Sequence, residues 1–361
     1  MKWKAAGLAM WFGAFAAASA AAVELDQLVL PDGFIIEVIA DDVPNARQMA
    51  LDEARGLLYV GTRRQGDVYR VDMSTGTSTV IATGWTMPSG LALSASGDLF
   101  VGALNEIRVI EDPHAVKSPT EGRLLTDALP KDRHHGWKYL RFGPDQQLYL
   151  SVGAPCNVCL EEDPRYASIL RMDPESGATE VIAHGVRNSV GLAFHPSSDR
   201  LWFTDNGRDM MGDDVPYEEL NELVEEGSHF GFPFEHAGPI RDPKFGRDVG
   251  DRVFTAPRLH IQAHSAALGL AFAHEATLGG DFSDAIFIAE HGSWNRSSKV
   301  GYRVSVVRQS ESGLQYAPFV QGWLQGEENW GRPNDVLITA AGDLLISDDQ
   351  AGVVYRVRAE G

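Results

Sequence analysis

Between Arg133 and Cys159 the chain reads RHHGWKYLRFGPDQQLYLSVGAPCNVC. A histidine pair and a Cys-x-x-Cys stand at the two ends of a Gly-Pro-Asp turn and an alternating strand. Histidine titrates near neutrality, so His134 or His135 is a candidate general base. The Cys156-x-x-Cys159 pair is compatible with a metal site, a haem linkage, a redox dithiol or a disulfide. Further chemistry-bearing residues are spread along the chain: Arg187-Asn188, the run TDNGRDMMGDD from Thr204, HGSWNRSSKVG with Arg296 and Lys299, and GRPNDV with Arg332. The oxygen-rich TDNGRDMMGDD run suits a hard cation such as calcium, but it lacks EF-hand spacing and equally reads as an acidic surface loop.

The elements that must bring these residues together repeat. FIIEVIADDVPNARQMALDEARGLLYVGTRRQGDVYRVD, TSTVIATGWTMPSGLALSASGDLFVGALNEIRVIE and ATEVIAHGVRNSVGLAFHPSSDRLWFTDN share one plan. Each has a strand ending in Val-Ile-Ala, a polar loop, an alternating strand, a turn and a second strand. Three looser copies give six units, with inner strands expected to begin near Arg47, Pro88, Trp137, Val190, Leu268 and Asp335. Period-two alternation argues for strands, and four-strand repeats of this length argue for a β-propeller. The expected fold is therefore all-β, a six-bladed β-propeller. The last unit lacks a fourth strand, and GFIIEVIA at the start is spare, so the N-terminal strand is expected to complete the last blade and remove the open edge. The best helical candidate is PYEELNELVEEG, one or two turns within a loop; the gaps 230–264 and 292–300 read as loops.

In a propeller, the residues before each inner strand share one face with those after the second strand. The first set includes Arg47, Gln48, His134, His135, Arg187, Asn188, His264, Arg332 and Asn334; the second includes Arg63, Asp205 to Arg208, Glu290 to Gly292, Asp348 and Asp349. A cationic, hydrogen-bonding mouth on a chain of net charge −19 suggests a bound anion. The same acidity disfavours nucleic acid and anionic lipid.

Residues 1–20 read as a secretory signal peptide, with Lys2 and Lys4, a short apolar run and an Ala18-Ser19-Ala20 cleavage pattern. Cleavage is expected near Ala20 or Ala22, leaving one domain over 23–361 in the periplasm or the medium. No other segment is apolar enough to span a membrane.

The quoted stretches, together with LPDGF, HGVRNSVGLAF, ELNEL…HFGFP, HSAALGLAF and GRPNDV…SDD, resemble one known family. It is the glucose/sorbosone dehydrogenase family, soluble sugar dehydrogenases that use pyrroloquinoline quinone (PQQ). The likeness is strongest to its sorbosone branch and runs from about Leu30 to Val357. It implies a six-bladed propeller with PQQ and calcium as cofactors. It implies His135, eight residues before Gly143, as the catalytic base, and Arg187 and Asn188 at the reactive quinone carbonyl. Asn206, Gly207 and Arg208 match the stretch that touches the cofactor, Gly207 and Arg208 lending backbone carbonyls to calcium. Arg332 matches the arginine on a quinone carboxylate, and either Arg296 or Lys299 the fifth-blade cation. The substrate would be an aldose or a sorbosone-like sugar or aldehyde, and electrons would leave to a separate periplasmic acceptor.

Three positions depart from that pattern. Ala154 stands where an Asp holds the catalytic His, His134 where an Asp precedes it, and Asn334 where a second Arg binds the quinone. Glucose is accordingly not assumed as substrate, and without a carboxylate partner His135 is expected to titrate near the free-imidazole value of about 6.5. The residues support the chemistry independently. Alcohol oxidation needs a base and a hydride acceptor, and no side chain accepts hydride. There is no Gly-x-Gly-x-x-Gly for a nicotinamide. For the cysteines, Leu160 rather than His follows Cys159 and there is no second Cys-x-x-Cys, so a Cys156–Cys159 disulfide is expected over a free dithiol. Two rivals remain: a calcium-dependent lactonase-type hydrolase using Asn188, Asp205, Asn206 and Asp335, and a non-catalytic binding propeller.

Overall fold

The computed structural model describes residues 23–280 and 282–360, so the expected signal peptide lies outside the described residues. Six units built on four antiparallel strands stand around an axis, and the third carries a short fifth strand, Ser228–His229, parallel to its outer strand Thr179–His184. Their innermost strands are Ala46–Asp52, Gly90–Leu93, Leu140–Phe142, Leu192–Phe194, Ala267–Phe272 and Pro333–Ile338, which define blades 1 to 6 in chain order. Among the described residues the helical pieces are three 3-10 turns, and no helix is long and apolar enough to cross a membrane.

Ring closure follows the sequence expectation. Phe34–Ala40 pairs antiparallel with Val353–Ala359 as the outer strand of blade 6, in the register Phe34↔Ala359 and Ile36↔Val357. Glu37 fixes this seam by pairing with Arg356.

The alternation in the strands has a more specific meaning than half-burial. Successive side chains point to opposite faces of a strand, and here each face meets a different neighbouring blade. Leu58 and Val60 pack against Leu345 and Val354 of blade 6, while Tyr59 between them packs against Leu91 and Leu99 of blade 2. The core is thus divided into six clusters, one in each seam between blades.

The helical reading of PYEELNELVEEG is corrected. Glu218–Glu222 is the third strand of blade 4, paired with Leu201–Asp205, and all five of its residues are buried. The spaced acids imitate a solvated helix face, but Leu220 fills the seam with blade 5 and the glutamates are buried polar groups with partners. The expected loop 230–264 also contains a short hairpin, Glu235–His236 with Ile240–Arg241, and the outer strand Leu259–Ile261 of blade 4.

The axis is closed by polar side chains. Gln48 donates to the Leu140 carbonyl at 2.6 Å and accepts from the Leu91 and Leu140 N–H groups, each at 2.9 Å. It thereby joins blades 1, 2 and 3. Asp335 of blade 6 accepts from the Met49 N–H at 2.8 Å and from the Tyr139 hydroxyl at 2.9 Å. Gly269 is required beside it, since a Cβ there would sit 2.0 Å from the Asp335 carboxylate. Above this plug one mouth of the ring opens into a cleft.

Candidate active site

The cleft has a volume of about 270 Å³ and draws residues from five blades. Arg47 and Arg63 come from blade 1, His135 and Trp137 from the lead-in to blade 3, and Arg332 from blade 6. Blade 4 supplies Arg187, Asn188, Asn206, Gly207, Asp209 and Glu218. Blade 5 supplies His264, His291, Trp294 and Asn295. Of the histidine pair, His135 is buried in the cleft wall, while His134 is exposed and outside it, its ring 4.1 Å from that of His135.

His135 is held by backbone alone. Its Nδ1 donates to the Ala154 carbonyl at 2.9 Å. A carbonyl can only accept, so Nδ1 carries the proton and Nε2 keeps a free lone pair. Position 154 carries no carboxylate, and its main-chain oxygen holds the ring. His135 adopts φ 50°, a backbone region that is sparsely populated by non-glycine residues. Gly153 permits the fit, because a Cβ there would lie 2.5 Å from the His135 Cβ. The expected ordinary pKa is corrected: burial first, then the charges of Arg187 and His134, hold the imidazole well below 6.5.

Arg187 is positioned by the cysteine loop. Cys156 and Cys159 are joined as a disulfide, and Asn157 between them accepts from Arg187 twice. Nε reaches the Asn157 carbonyl and Nη2 its side-chain oxygen, both at 2.9 Å. The Asn206 carbonyl (3.1 Å) and the Asp209 carboxylate (3.1 Å) take further donors. Below, Asp205 accepts the backbone N–H groups of Arg187 and Asn188 at 2.8 and 2.6 Å. Burial and the facing Glu219 push the Asp205 carboxyl up.

The other cations behave differently from one another. Arg47 pairs with Asp349 at 2.9 Å; burial lowers it to about 10, which leaves it charged at neutral pH. Asp349 also meets His291 at 2.7 Å. Arg332 donates to the His291 and Gly292 carbonyls, each at 2.9 Å. Arg63 makes no hydrogen bond or ion pair among the described residues and rests over Trp137, 4.5 Å from the ring centre.

Three of the expected side chains lie elsewhere. Arg208 turns out of the cleft to Asp242, which leaves only its backbone for a cation. Arg296 is taken up by the Asp213 carbonyl and Asp214, and Lys299 reaches Asn329 at 2.9 Å. In their place the same loop offers Trp294 and Asn295, and both polar atoms of the Asn295 amide are buried without a protein partner. Asp209, Glu218, Trp294 and Asn295 were not singled out in the sequence. Asp209 lies in the oxygen-rich run already noted, but Glu218 was concealed by its helix-like surroundings. Burial pushes the Glu218 carboxyl up to about 8, against the N–H groups of Gly207 and Ala266 that it accepts.

Among the described residues no three His, Cys, Asp or Glu side chains converge as a metal cage. A cation here would therefore depend on backbone carbonyls such as those of Gly207 and Arg208, with Glu218 and Asp209 nearby. Four arginines around one cleft, and an orphaned amide in its wall, fit a planar ligand bearing several carboxylates. Asp335, a proposed ligand in the hydrolase reading, is engaged at the axis instead.

Known proteins agree with this architecture. A glucose/sorbosone dehydrogenase family model matches residues 104–290, and a TrAA12-like model matches 244–360. A PQQ-dependent sugar dehydrogenase of Hypocrea jecorina is 25% identical, over 91% of this chain and 88% of its own. An uncharacterized Borreliella burgdorferi protein is 28% identical, over 92% and 91%. The PQQ domain of Coprinopsis cinerea pyranose dehydrogenase, in its holo form, superposes with a TM-score of 0.74 at 20% identity, covering 92% of this chain and 97% of that domain. The PQQ-bound aldose sugar dehydrogenase of Streptomyces coelicolor gives 0.63 at 20% identity, covering 92% and 100%. The first family model spans just over half of the sequence, so the chain belongs to the glucose/sorbosone dehydrogenase family of oxidoreductases.

Proposed function

We propose that the protein is a quinoprotein that oxidises an aldose or a sorbosone-like sugar or aldehyde, with PQQ and calcium as cofactors and His135 as general base. The observation that carries this reading is the His135–Ala154 hydrogen bond, which leaves the unprotonated Nε2 at a cleft ringed by guanidinium groups. PQQ would be held by Arg63 and Arg332, with Asn295 supplying amide contacts and Arg187 and Asn188 facing its reactive carbonyl. Calcium would be held through Gly207 and Arg208. When bound, the quinone accepts the hydride that no side chain can accept.

The chain's own residues account for the rest. His135 takes the hydroxyl proton at Nε2 as the substrate is oxidised. Its neutral form is favoured by burial and by the positive neighbours that depress its pKa. Arg187, fixed by Asn157, Asn206 and Asp209, presents a preorganised positive charge where negative charge develops. Trp137 and Trp294 line the cleft. The N-terminal signal implies export, one domain over 23–361 and a separate acceptor outside the cytoplasm.

The test is reconstitution of purified protein with PQQ and calcium, followed by dye-linked oxidation of a panel of aldoses and sorbosone-like aldehydes. His135→Ala is expected to retain the cofactor and lose about 10²–10⁴ in rate, whereas His134→Ala changes KM at most. Failure to retain PQQ in the presence of calcium would refute the quinoprotein reading.

A further inference from the structure

Beside the cleft lies a second depression of about 380 Å³, lined by Arg63, Arg64, Trp85, Thr86, Met87 and Arg133. It belongs to the loops of blades 1 and 2 and the approach to blade 3. Arg63 lines both it and the cleft. No Asp or Glu lines the depression, and among the described residues the side chains of Arg63, Arg64 and Arg133 have no carboxylate partner. That contrasts with Arg47, Arg187, Arg208 and Arg303, each of which pairs with an acid. With 50 acidic residues against 31 basic ones, three unpaired guanidinium groups on one shelf are a local exception to the field of the whole molecule.

The shelf is lined mainly by polar groups, with Trp85 as its one aromatic residue. Trp85 is half-buried, packs at the edge of the seam between blades 1 and 2, and has Arg108 5.6 Å from its ring centre. Aromatic faces provide large, rigid contact surface, which suits the C–H-rich face of a sugar ring, and guanidinium forks suit carboxylate and phosphate oxygens. One tryptophan among three unpaired guanidinium groups, joined to the cleft through Arg63, is an arrangement that suits an acidic sugar.

We propose that this shelf is a subsite for an anionic group on the sugar, so that the substrate is a reducing saccharide bearing a carboxylate or phosphate away from the carbon that is oxidised. The proposal rests on the dehydrogenase reading and extends it to a substrate class. Arg63 is shared with the cofactor cleft, so the test uses Arg64 and Arg133, which line the shelf only.

Holoenzyme is assayed with an uncharged dye on two matched pairs: cellobiose against cellobiouronic acid, and glucose against glucose 6-phosphate. The expected result is a higher kcat/KM for the charged member of at least one pair, with the preference falling as ionic strength rises. Preference in the first pair identifies a uronate, and in the second a phosphate. Arg64→Gln with Arg133→Gln should reduce that preference by about 3- to 10-fold, the range for one or two partly exposed charge pairs, and leave the neutral sugars unchanged. In parallel, calorimetry on cofactor-free protein measures cellobiouronic acid, cellobiose, glucose 6-phosphate and glucose binding. Tighter binding of a charged sugar than of its neutral partner, abolished in the double variant, upholds the shelf even if no sugar is oxidised; in that case the dehydrogenase reading is what falls. Equal rates and equal binding within both pairs overturn the subsite. So does a double variant that alters only the KM for an anionic acceptor such as ferricyanide, which would make the shelf an acceptor dock.

Discussion

At the scale of the residue, the protonation of His135 is governed first by burial and then by positive neighbours, both of which favour the neutral ring. Burial removes water from the imidazolium, Arg187 and His134 add positive charge, and only the Ala154 carbonyl favours the charged form. A depressed pKa means that the ring stays neutral as pH falls through 6.5 and takes its proton only below that. An NMR titration of cofactor-free protein should show the His135 ring signals unmoved between pH 7.5 and 6. A His135 midpoint at or above 6.5 would contradict the geometry. Linkage gives the same sign: below about 6.5 the unfolded chain binds a proton that folded His135 refuses, so this residue's contribution disfavours folding as pH falls. The location of Arg187, Asn188, Arg332 and His135 in the cleft was legible because they stand in the lead-ins to inner strands, where the backbone decides the location. That of Arg208, Arg296 and Lys299 was not. Spacing places a Cα at the mouth of the ring, but a long side chain turns toward the nearest acid or carbonyl, and Asp242, Asp214 and Asn329 are remote in sequence.

At the scale of the element, the disulfide loop and the closing strand each have a distinct task. The loop Cys156–Cys159 encloses too few residues to matter greatly for stability: loop-entropy arithmetic for such a short span gives about 2 kcal/mol. Its larger effect is on Arg187, through the two contacts from Asn157. Replacing both cysteines (Cys156→Ser, Cys159→Ser) should therefore raise the PQQ dissociation constant by roughly tenfold, about 1.4 kcal/mol, and lower the melting temperature only modestly. Unchanged affinity would make the disulfide a brace for the loop alone. The closing strand Phe34–Ala40 protects the edge of Val353–Ala359. A chain begun at Asp41 should melt earlier and scatter light on heating, because an unpaired apolar strand edge recruits other chains. Both elements could be read from the sequence, since repeat counting exposes a missing strand and two nearby cysteines limit the options. The third strand of blade 4 could not: Glu218, Glu219 and Glu222 have helix-like spacing, and only the fold reveals that backbone N–H groups, Asn221 and arginines receive them.

At the scale of the whole molecule, a propeller must prevent its blades from sliding along the axis, and here polar side chains prevent it. Seam packing is non-directional, whereas the Gln48 amide satisfies three backbone groups on two other blades. Gln48→Leu keeps the volume and removes every one of those bonds. The Leu91 and Leu140 N–H groups then lose their acceptor and the Leu140 carbonyl loses its donor, all at the closed centre of the ring. Unsatisfied buried groups cost about 1–3 kcal/mol each. Because all three groups share one partner and relax together, their costs do not add in full, and a net loss of about 2–5 kcal/mol is expected. Denaturant midpoints measured by tryptophan fluorescence and by far-UV circular dichroism should both fall. PQQ binding at saturating calcium should persist at low denaturant, because Gln48 does not line the cleft. A variant with the wild-type midpoint would show that water replaces the amide at the axis and that apolar seams alone hold the blades in register.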